Sequence, residues 1–277
     1  MFPYQGSKQK ELSEILPKIP PSAHVMVDVF GGAGSVFLAM IRTFPAAKII
    51  YNDINEHLAA IFMSVAIGKA AYIEDKVKEM LSDHTITPEG FARLKVTRGL
   101  LIDQEEKTKD FLYNLDVADY AARTVYLMRT SAKGLYMNRA MVNQRPIPKK
   151  RKLTDYNEIV NDKLNIMSVD YRKIMNTYKT DPNAFLYLDP PYNSKNTSTA
   201  TYYAMAGDFH NYLAFIEEFM KSPDTKCKVM LNVDFTGDVY VRFAQMLKHV
   251  YRVRYSAQTS INDGSKPPLY HVICTNY

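Results

Sequence analysis

The sequence has few of the residues that build metal sites and disulfide frameworks. It contains two cysteines in 277 residues, Cys227 and Cys274, which stand far apart and form no CxxC spacing. Its six histidines are scattered, and none belongs to an HExxH or similar pair. A structural zinc site or a disulfide framework is therefore not expected, and we predict a function that needs no metal.

Long hydrophobic runs are missing as well. No apolar stretch reaches the roughly 20 residues that a transmembrane helix requires. The N-terminal stretch MFPYQGSKQKEL lacks the apolar core of a signal peptide. These features predict a cytoplasmic protein that has no membrane partner.

Acidic residues are absent from one stretch of a mildly basic chain, whose net charge is +6. Between Arg123 and Lys152 there are nine Lys and Arg residues and no Asp or Glu. A surface kept clear of negative charge suits phosphate groups, which favours a nucleic acid as the partner. A solvated basic loop, or an import-like tract at PKKRK, is the alternative.

Much of the chain alternates strand and helix patterns. Strands are predicted at 24–30, 48–53, 164–171, 184–192 and 227–235, with a final antiparallel pair near the C-terminus. Helices are predicted at 36–44, 54–68, 208–222 and 239–249. This alternation is typical of a doubly wound α/β fold. Residues 69–155 interrupt it, because their apolar residues recur only at helical spacing, and we interpret them as a helical, basic insertion.

A glycine-rich turn, FGGAGS (30–35), follows the first predicted strand. Glycine lets a backbone turn sharply and approach a ligand closely. Asp53 stands 19 residues after Gly34, at the end of the next strand, where an acid can bond ribose hydroxyls. The turn lacks the third glycine of GxGxxG, so S-adenosylmethionine, which has no pyrophosphate, suits it better than NAD.

A second unusual stretch is YLDPPYN (187–193), in which an acid and two prolines follow an apolar run. Proline fixes φ and restricts the residue before it, so this segment should be stiff. It could be a simple strand terminator, or a ledge that aims a carboxylate at a substrate. Asp53, Asp170 and Asp189 all stand at predicted strand ends, where open α/β sheets bind ligands, which favours the second interpretation.

Together these stretches resemble the Dam-type, D12-class DNA adenine-N6 methyltransferases. The resemblance spans nearly the whole chain and keeps the family's order of motifs. It rests on Pro3–Lys8, Asp28–Ser35, Asn52–Asn55, Asp170-Tyr171, Asp189–Tyr192 and Thr275–Tyr277. It implies a Rossmann-like, S-adenosylmethionine-dependent methyltransferase sheet, with a catalytic domain at 1–68 and 156–277 and target recognition by the insertion at 69–155.

The resemblance also implies the roles of individual residues in binding S-adenosylmethionine. Asp53 would hold the ribose hydroxyls, Ile54 would pack on the adenine, and Asp170 would accept a hydrogen bond from the adenine amine. The complete implied cofactor site is Tyr4, Gly6, Lys8, Asp28, Phe30, Gly32, Gly34, Ser35, Asp53, Ile54, Asp170 and Tyr171.

The implied catalytic residues are Asp189, Pro190, Pro191 and Tyr192. The Asp189 carboxylate and the Pro190 carbonyl would accept the two N–H bonds of the target amine and direct its lone pair at the methyl group. Tyr192 would stack on the target adenine. A base inside a duplex cannot reach such a ledge, so the adenine must be flipped out.

Double-stranded DNA is the implied partner, and the monomer is the favoured oligomeric state. The residues expected to bind DNA lie in the basic insertion: Arg129, Lys133, Asn138, Arg139, Asn143, Gln144, Arg145, Lys149 and Lys150. GATC-specific members carry Asn-Gly-Leu-x-Arg and a following Phe-Asn-x-Pro-Phe-Gly. This chain has KGLYM (133–137) and then VNQRPIP, so GATC, another short sequence and loose specificity all stay open.

Three other functions are compatible with parts of the pattern. An RNA adenine methyltransferase is the nearest, but the region 123–152 has only two aromatic residues, which favours duplex DNA over stacked single strands. A non-catalytic nucleic-acid-binding protein would be expected to have lost Asp53 or the DPPY stretch, and both are intact. A nicotinamide oxidoreductase is disfavoured because the glycine spacing does not match.

Overall fold

A computed structural model describes residues 7–82, 117–130, 152–159, 164–191, 209–253 and 269–277. The chain divides into two compact units. One, which we call the sheet unit, comprises Lys8–Ile54 and Val169–Tyr277. The other, the helical unit, comprises Met1–Ser7 and Asn55–Ser168. The boundaries predicted from the sequence separate a catalytic domain from a target-recognition insertion. They stay a prediction.

The described residues contain eight α-helices, seven β-strands and four short 3-10 helices. The α-helices are α1 (Leu12–Ile15), α2 (Ser35–Thr43), α3 (Glu56–Ala66), α4 (Ala70–Ser82), α5 (Val117–Thr130), α6 (Tyr171–Tyr178), α7 (Phe209–Lys221) and α8 (Gly237–Phe243). The strands are β1 (Val25–Asp28), β2 (Lys48–Asn52), β3 (Leu164–Met167), β4 (Ala184–Leu188), β5 (Lys228–Asp234), β6 (Leu247–Val253) and β7 (Leu269–Thr275). The 3-10 helices are Lys8–Lys10, Leu16–Lys18, Leu153–Ile159 and Ala244–Met246.

The strands of the sheet unit lie side by side in the order β2-β1-β4-β5-β7-β6. Neighbours from β2 to β5 run parallel, and β7 runs antiparallel to both β5 and β6. This arrangement confirms the predicted α/β class and the predicted antiparallel pair near the C-terminus. The chain leaves β1 toward β2 on one side and returns to β4 on the other, which makes the gap between β1 and β4 a topological switch point.

Burial explains why the central strands read as continuous apolar runs. All five residues of β4 are buried, as are three of the four in β1. A parallel strand covered on both faces has no solvent side and therefore needs no alternation of polar residues. The register sets Asp28 opposite Tyr51 of β2 and Tyr187 of β4. The acids that follow these two strands are therefore delivered to the same edge of the sheet.

Some predicted boundaries were wrong. The helix predicted at 239–249 ends at Phe243, and residues from Leu247 onward form β6. Its apolar residues suit a helix only as far as Val239 and Phe243, which are both buried. Beyond them, β7 offers unpaired backbone groups, and pairing with that strand overrides the helical spacing. The strand predicted at 164–171 is likewise shorter and ends at Met167.

The helical unit is organised around a buried ion pair. Arg129 of α5 donates to both carboxylate oxygens of Glu74 in α4, at 2.9 and 2.7 Å. The backbone N–H of Leu153 donates to the same carboxylate at 2.7 Å. Arg129 is 3% exposed, so the pair is shielded from water and acts as a cross-link between elements.

No helix in the described part of the chain is both long and apolar enough to cross a membrane.

Candidate active site

The glycine turn after β1 is shaped by contacts with β2. Gly32 and Gly34 have positive φ of 50° and 73°, which L side chains rarely adopt. A Cβ on Gly31 would lie 2.2 Å from Cε2 of Tyr51, so that position has no room for a side chain. The Tyr51 hydroxyl donates to the Gly32 carbonyl at 2.8 Å, which holds the turn against the strand end.

Asp53 closes this turn from the other side. Its Oδ2 accepts a hydrogen bond from the Gly32 N–H at 2.8 Å. The preceding Asn52 is buried and connects three segments, because its amide donates to the carbonyls of Val29 and Val169 and its oxygen accepts from the Val169 N–H, each at 3.0 Å. Asn52 therefore fixes the segment leading to Asp170 beside the glycine turn. The neighbouring Ile54 side chain is 66% exposed.

Asp28 ends β1 and is buried, with 2% exposure. Its Oδ2 accepts from the Phe37 N–H at 3.0 Å, so it caps α2 in place of Gly34, which has no side chain to do so. Oδ1 has no hydrogen-bond partner among the described residues. Burial raises the pKa of Asp28 well above its ordinary value, and the charges of Asp189 and Asp53 add to the shift.

An aromatic cluster stands next to the turn. The ring of Phe30 lies 5.4 Å from Tyr171 and 5.9 Å from Tyr212, and the two tyrosines are 4.9 Å apart. Burial raises the pKa of Tyr212 to about 12, with Tyr171 and Asp170 contributing. The phenols therefore stay neutral at physiological pH and offer apolar faces with a polar tip.

Asp170 differs from the other acids, because it caps a helix and does not end a strand. Its Oδ1 accepts from the Arg172 N–H at 2.9 Å at the start of α6, and the side chain is 52% exposed. The Arg172 guanidinium lies 5.1 Å from the centre of the Tyr171 ring. The acid is thus held at the helix start while much of its surface faces outward.

Asp189 follows β4 and forms an ion pair with Lys8. The ammonium Nζ lies 2.7 Å from Oδ2 of the acid, and the two side chains are 3% and 14% exposed. A buried lysine needs such a partner, and the positive charge in turn favours the ionised carboxylate. Pro190 is buried and Pro191 is partly buried, so this stretch is enclosed on one side.

The predicted site residues other than Arg129 fall into two groups with respect to the structure. Lys8, Asp28, Phe30, Gly32, Gly34, Ser35, Asp53, Ile54, Asp170, Tyr171, Asp189, Pro190 and Pro191 are described and belong to the sheet unit. Predictions on Tyr4, Gly6, Tyr192, Lys133, Asn138, Arg139, Asn143, Gln144, Arg145, Lys149 and Lys150 lie outside the described residues.

Arg129 requires a correction. It was predicted to contact DNA, but its guanidinium is buried and bonded to both oxygens of Glu74. Freeing it for a phosphate would leave the Glu74 carboxylate buried without its charge partner, which is strongly unfavourable. We therefore remove Arg129 from the DNA-binding set.

Three residues that position the site have no role predicted from the sequence. Tyr51 resembles an ordinary residue of a buried strand, and Tyr212 an apolar residue of an amphipathic helix. Asn52 belongs to the stretch Asn52–Asn55 that carries the family resemblance, but no role was predicted for it. A buried asparagine at a strand end was a usable signal, because a buried amide must find hydrogen-bond partners. Nothing in the sequence marked the two tyrosines, whose roles depend on neighbours distant along the chain.

The arrangement suits a ligand with an adenosine group. It offers a tight turn of small residues, a carboxylate beside that turn, aromatic faces and an exposed aliphatic side chain at Ile54. A second carboxylate, Asp189, stands at the end of β4 with a lysine beside it. No cluster of potential metal ligands occurs among the described residues.

Comparison with known proteins gave matches over the length of the chain. Residues 4–255 match the model of the D12 class N6 adenine-specific DNA methyltransferase family. The chain is 26% identical to type II methyltransferase M.MjaIII of Methanocaldococcus jannaschii, over 99% of this chain and 97% of that protein. It is also 26% identical to type II methyltransferase M.CviBI of Paramecium bursaria Chlorella virus NC1A, over 99% and 98% respectively.

Proposed function

The chain belongs to the D12 class of N6 adenine-specific DNA methyltransferases, and from that premise we propose which of its residues bind the cofactor and which act on the adenine. Methyltransferases of this family use S-adenosylmethionine, which supplies a methyl group on a positively charged sulfur. The family membership establishes the reaction; the assignment of residues is our proposal.

The cofactor is proposed to bind at the edge of the sheet between β1 and β2. Asp53 would accept the ribose hydroxyls, and Ile54 and Tyr171 would contact the adenine. The left-handed Gly32 and Gly34 support this, because only a turn without side chains lets the backbone approach a ligand this closely. Tyr4, Gly6 and Lys8 would complete the methionine end of the site.

Asp189 is proposed to hold the target amine. An exocyclic adenine amine is a poor nucleophile because its lone pair is delocalised into the ring. Acceptance of one N–H by Asp189 and of the other by the Pro190 carbonyl would favour a tetrahedral nitrogen. It would also stabilise the positive charge that develops on that nitrogen. The proton becomes acidic only after transfer, so Asp189 need not be a strong base. Tyr192 is proposed to stack on the flipped adenine.

One observation carries this assignment. Asp53 and Asp189 follow two strands that flank β1, and their registers with β1 bring both acids to the same edge at the switch point. Both acids also act on the buried Asp28, because the charges of Asp189 and Asp53 contribute to its raised pKa. Ligands of open α/β sheets bind at such a point. One edge thus offers places for the cofactor and the target base.

Double-stranded DNA is proposed as the substrate, with the basic region 123–152 as its main binding surface apart from Arg129. Both relatives named above are type II methyltransferases, so we propose that this chain also methylates a short specific sequence. Action beside a restriction enzyme is one setting for such an activity. A cytoplasmic location and a monomeric state stay predictions.

The test is transfer of labelled methyl from S-adenosylmethionine to unmethylated duplex DNA, followed by adenine-resolved sequencing. Wild-type protein should place label in N6-methyladenine at one short sequence, and Asp189→Ala should place none while still binding the cofactor. Arg252→Ala, on the exposed face of β6, is a matched control that should transfer normally. Label on single-stranded RNA in place of duplex DNA would contradict the proposed substrate.

A further inference from the structure

A buried histidine in the sheet unit is held between two acids that the proposed reaction does not use. His271 of β7 is 0% exposed. Its Nδ1 lies 2.7 Å from Oε2 of Glu11, and its Nε2 lies 2.8 Å from Oδ1 of Asp234 at the end of β5. Oδ1 of Asp234 has no well-directed hydrogen bond among the described residues, so its contact with the ring is that of an ion pair.

The two carboxylates favour the imidazolium form of the ring. A neutral imidazole has one N–H and one bare nitrogen, and the bare nitrogen would face an anion. Burial alone lowers the pKa of His271, but Asp234 and Glu11 outweigh it, and the pKa is raised. Burial likewise raises the pKa of Glu11, yet His271 and Lys8 reverse the shift and lower it. The two shifts therefore favour an ionised Glu11 and a charged His271 ring.

Glu11 connects this charged histidine to the proposed active site. Its backbone N–H donates to the Lys8 carbonyl at 2.9 Å, which closes the 3-10 turn Lys8–Lys10. Lys8 in turn places its ammonium 2.7 Å from the Asp189 carboxylate. The lysine side chain is a flexible four-carbon stem. Where its ammonium group lies therefore depends on how the Lys8 backbone is held. Glu11 supplies that anchor through its side chain.

A second route leads from Glu11 to the same strand end. The Tyr251 hydroxyl lies 2.8 Å from Oε2 of Glu11 and 2.9 Å from Oδ1 of Asn232. The Asn232 amide donates to the Tyr187 hydroxyl at 3.2 Å, and Tyr187 precedes Asp189 by two residues in β4. The network therefore reaches Asp189 through Lys8, and within the sheet it reaches Tyr187 of the strand that leads to this acid.

We propose that Glu11, His271 and Asp234 are positioning residues, which set the Lys8 ammonium against the Asp189 carboxylate. This inference rests on the proposed function of Asp189. The imidazolium neutralises two acids that would otherwise repel each other, and it ties the N-terminal segment to β5 and β7. Loss of its charge would release the 3-10 turn and shift the ammonium, so the acid would lose its fixed orientation toward the amine.

The chain contains a matched control for this proposal. His249 of β6 also bonds a glutamate of the N-terminal segment, with Nε2 2.7 Å from Oε2 of Glu14. These two side chains are 33% and 40% exposed, and Glu14 lies in α1, beyond the turn that carries Lys8. His249→Gln therefore removes an equally short tether and leaves the hydrogen bonds of the buried network in place, while the stacking of the His249 ring on Tyr251, 5.5 Å between ring centres, is lost.

The experiment measures single-turnover methyl transfer by His271→Gln and His249→Gln, each alone and in a Lys8→Met background. His271→Gln should slow the wild-type rate by about 10- to 100-fold and leave the cofactor Kd within about twofold. In the Lys8→Met background it should cause no further loss, because the residue it acts through is gone. His249→Gln should change neither rate. An equal loss in both backgrounds would overturn the proposal.

Two further measurements cover other outcomes. If His271→Gln does not fold, Tyr251→Phe tests the same network, and it should slow transfer less and lose that effect in the Lys8→Met background. Nitrogen NMR of labelled histidine in the intact wild-type protein should show both ring nitrogens of His271 protonated at pH 7.5. A neutral His271 in an active enzyme would overturn this inference. A charged His271 in a protein whose Asp189 variants stay fully active would overturn the proposed function instead.

Discussion

In each unit of the protein a long basic side chain is buried against a carboxylate, and the two pairs differ in where the acid stands. In the helical unit, Glu74 receives two hydrogen bonds from Arg129 and one from the Leu153 backbone. In the sheet unit, Asp189 receives the Lys8 ammonium at one oxygen and stands at a strand end, where it is 14% exposed. The first pair cross-links helical elements, whereas the second holds an acid at the edge of the sheet where the parallel strands end.

Burial of a cation therefore does not distinguish a structural ion pair from a functional one. Lys8 and Arg129 have the same exposure, 3%. What differs is the position of the partner and its neighbours. Asp189 lies close enough to Asp28 to raise the pKa of that acid, so carboxyl groups are kept near each other at this edge. Such an arrangement costs stability and is typical of functional sites.

The largest expected effect comes from removing the Asp189 charge. Asp189→Asn should lower the rate of methyl transfer by about 100- to 1,000-fold, because the amide is a weaker acceptor for the developing charge. The double variant Lys8→Met with Asp189→Asn should refold to near wild-type stability and stay inactive, since no charge is left buried alone. Single-turnover rates and thermal melting check both statements. Recovery of activity in the double variant would erase the contrast between the two pairs.

The corresponding change in the helical unit should act on stability. Arg129→Met should cost about 3 to 5 kcal/mol of unfolding free energy, because it leaves Glu74 buried without its partner. Adding Glu74→Gln should restore most of that loss, since the amide oxygen still accepts from the Leu153 N–H. Denaturant melts measure the stability, and DNA binding at several salt concentrations measures the charge contribution. A lower salt dependence in the folded double variant would return Arg129 to the DNA-binding set.

A smaller effect is expected at the glycine turn. Gly31→Ala would bring a methyl group to within 2.2 Å of the Tyr51 ring and displace the hydroxyl that holds Gly32. We expect a loss of about 1 to 3 kcal/mol in stability and a weaker cofactor Kd. Gly237→Ala is the control, because a Cβ there meets no atom within 4 Å. Equal behaviour of the two variants would show that the turn tolerates a shift of the ring.

The smallest effect concerns Asp28 and pH. Its pKa is raised on folding, so the folded state holds a proton that the unfolded chain releases near its ordinary pKa. Stability from this group is therefore full at low pH and declines as pH rises toward the folded pKa. Asp28→Asn keeps an oxygen for the Phe37 N–H and removes the titration. In denaturant melts, the variant should lose less stability than wild type between pH 4 and 8. If the stability of the two proteins depends on pH in the same way, the raised pKa of Asp28 is contradicted.

Part of the site could be predicted because its residues are local features of the chain. Gly32, Gly34 and Asp53 follow strands that read clearly as apolar runs, and Asp189 is followed by two prolines. Their convergence follows from parallel strands ending at one edge of the sheet. The predicted α/β class and final strand pair were correct for the same reason, since apolar runs and turns are encoded by neighbouring residues.

Other features depended on residues distant in sequence. The helix predicted through 249 ended early because β7, more than twenty residues later, paired with Leu247–Val253. Arg129 read as one more cation in a basic stretch until Glu74, 55 positions away, proved to be its partner. Asp170 read as the end of a strand but caps α6, since β3 ends at Met167. Local spacing contains no information about such partners.

The family, the order of the motifs and the fold class could be inferred before any fold was known, because they follow from short stretches whose backbone chemistry is local. The pairing of charges is a property of the folded chain. The fold placed Lys8 on Asp189, Glu11 and Asp234 on His271, and Glu74 on Arg129. The physical reason is that a buried charge must be compensated within about 4 Å, and the fold alone decides which side chains come that close.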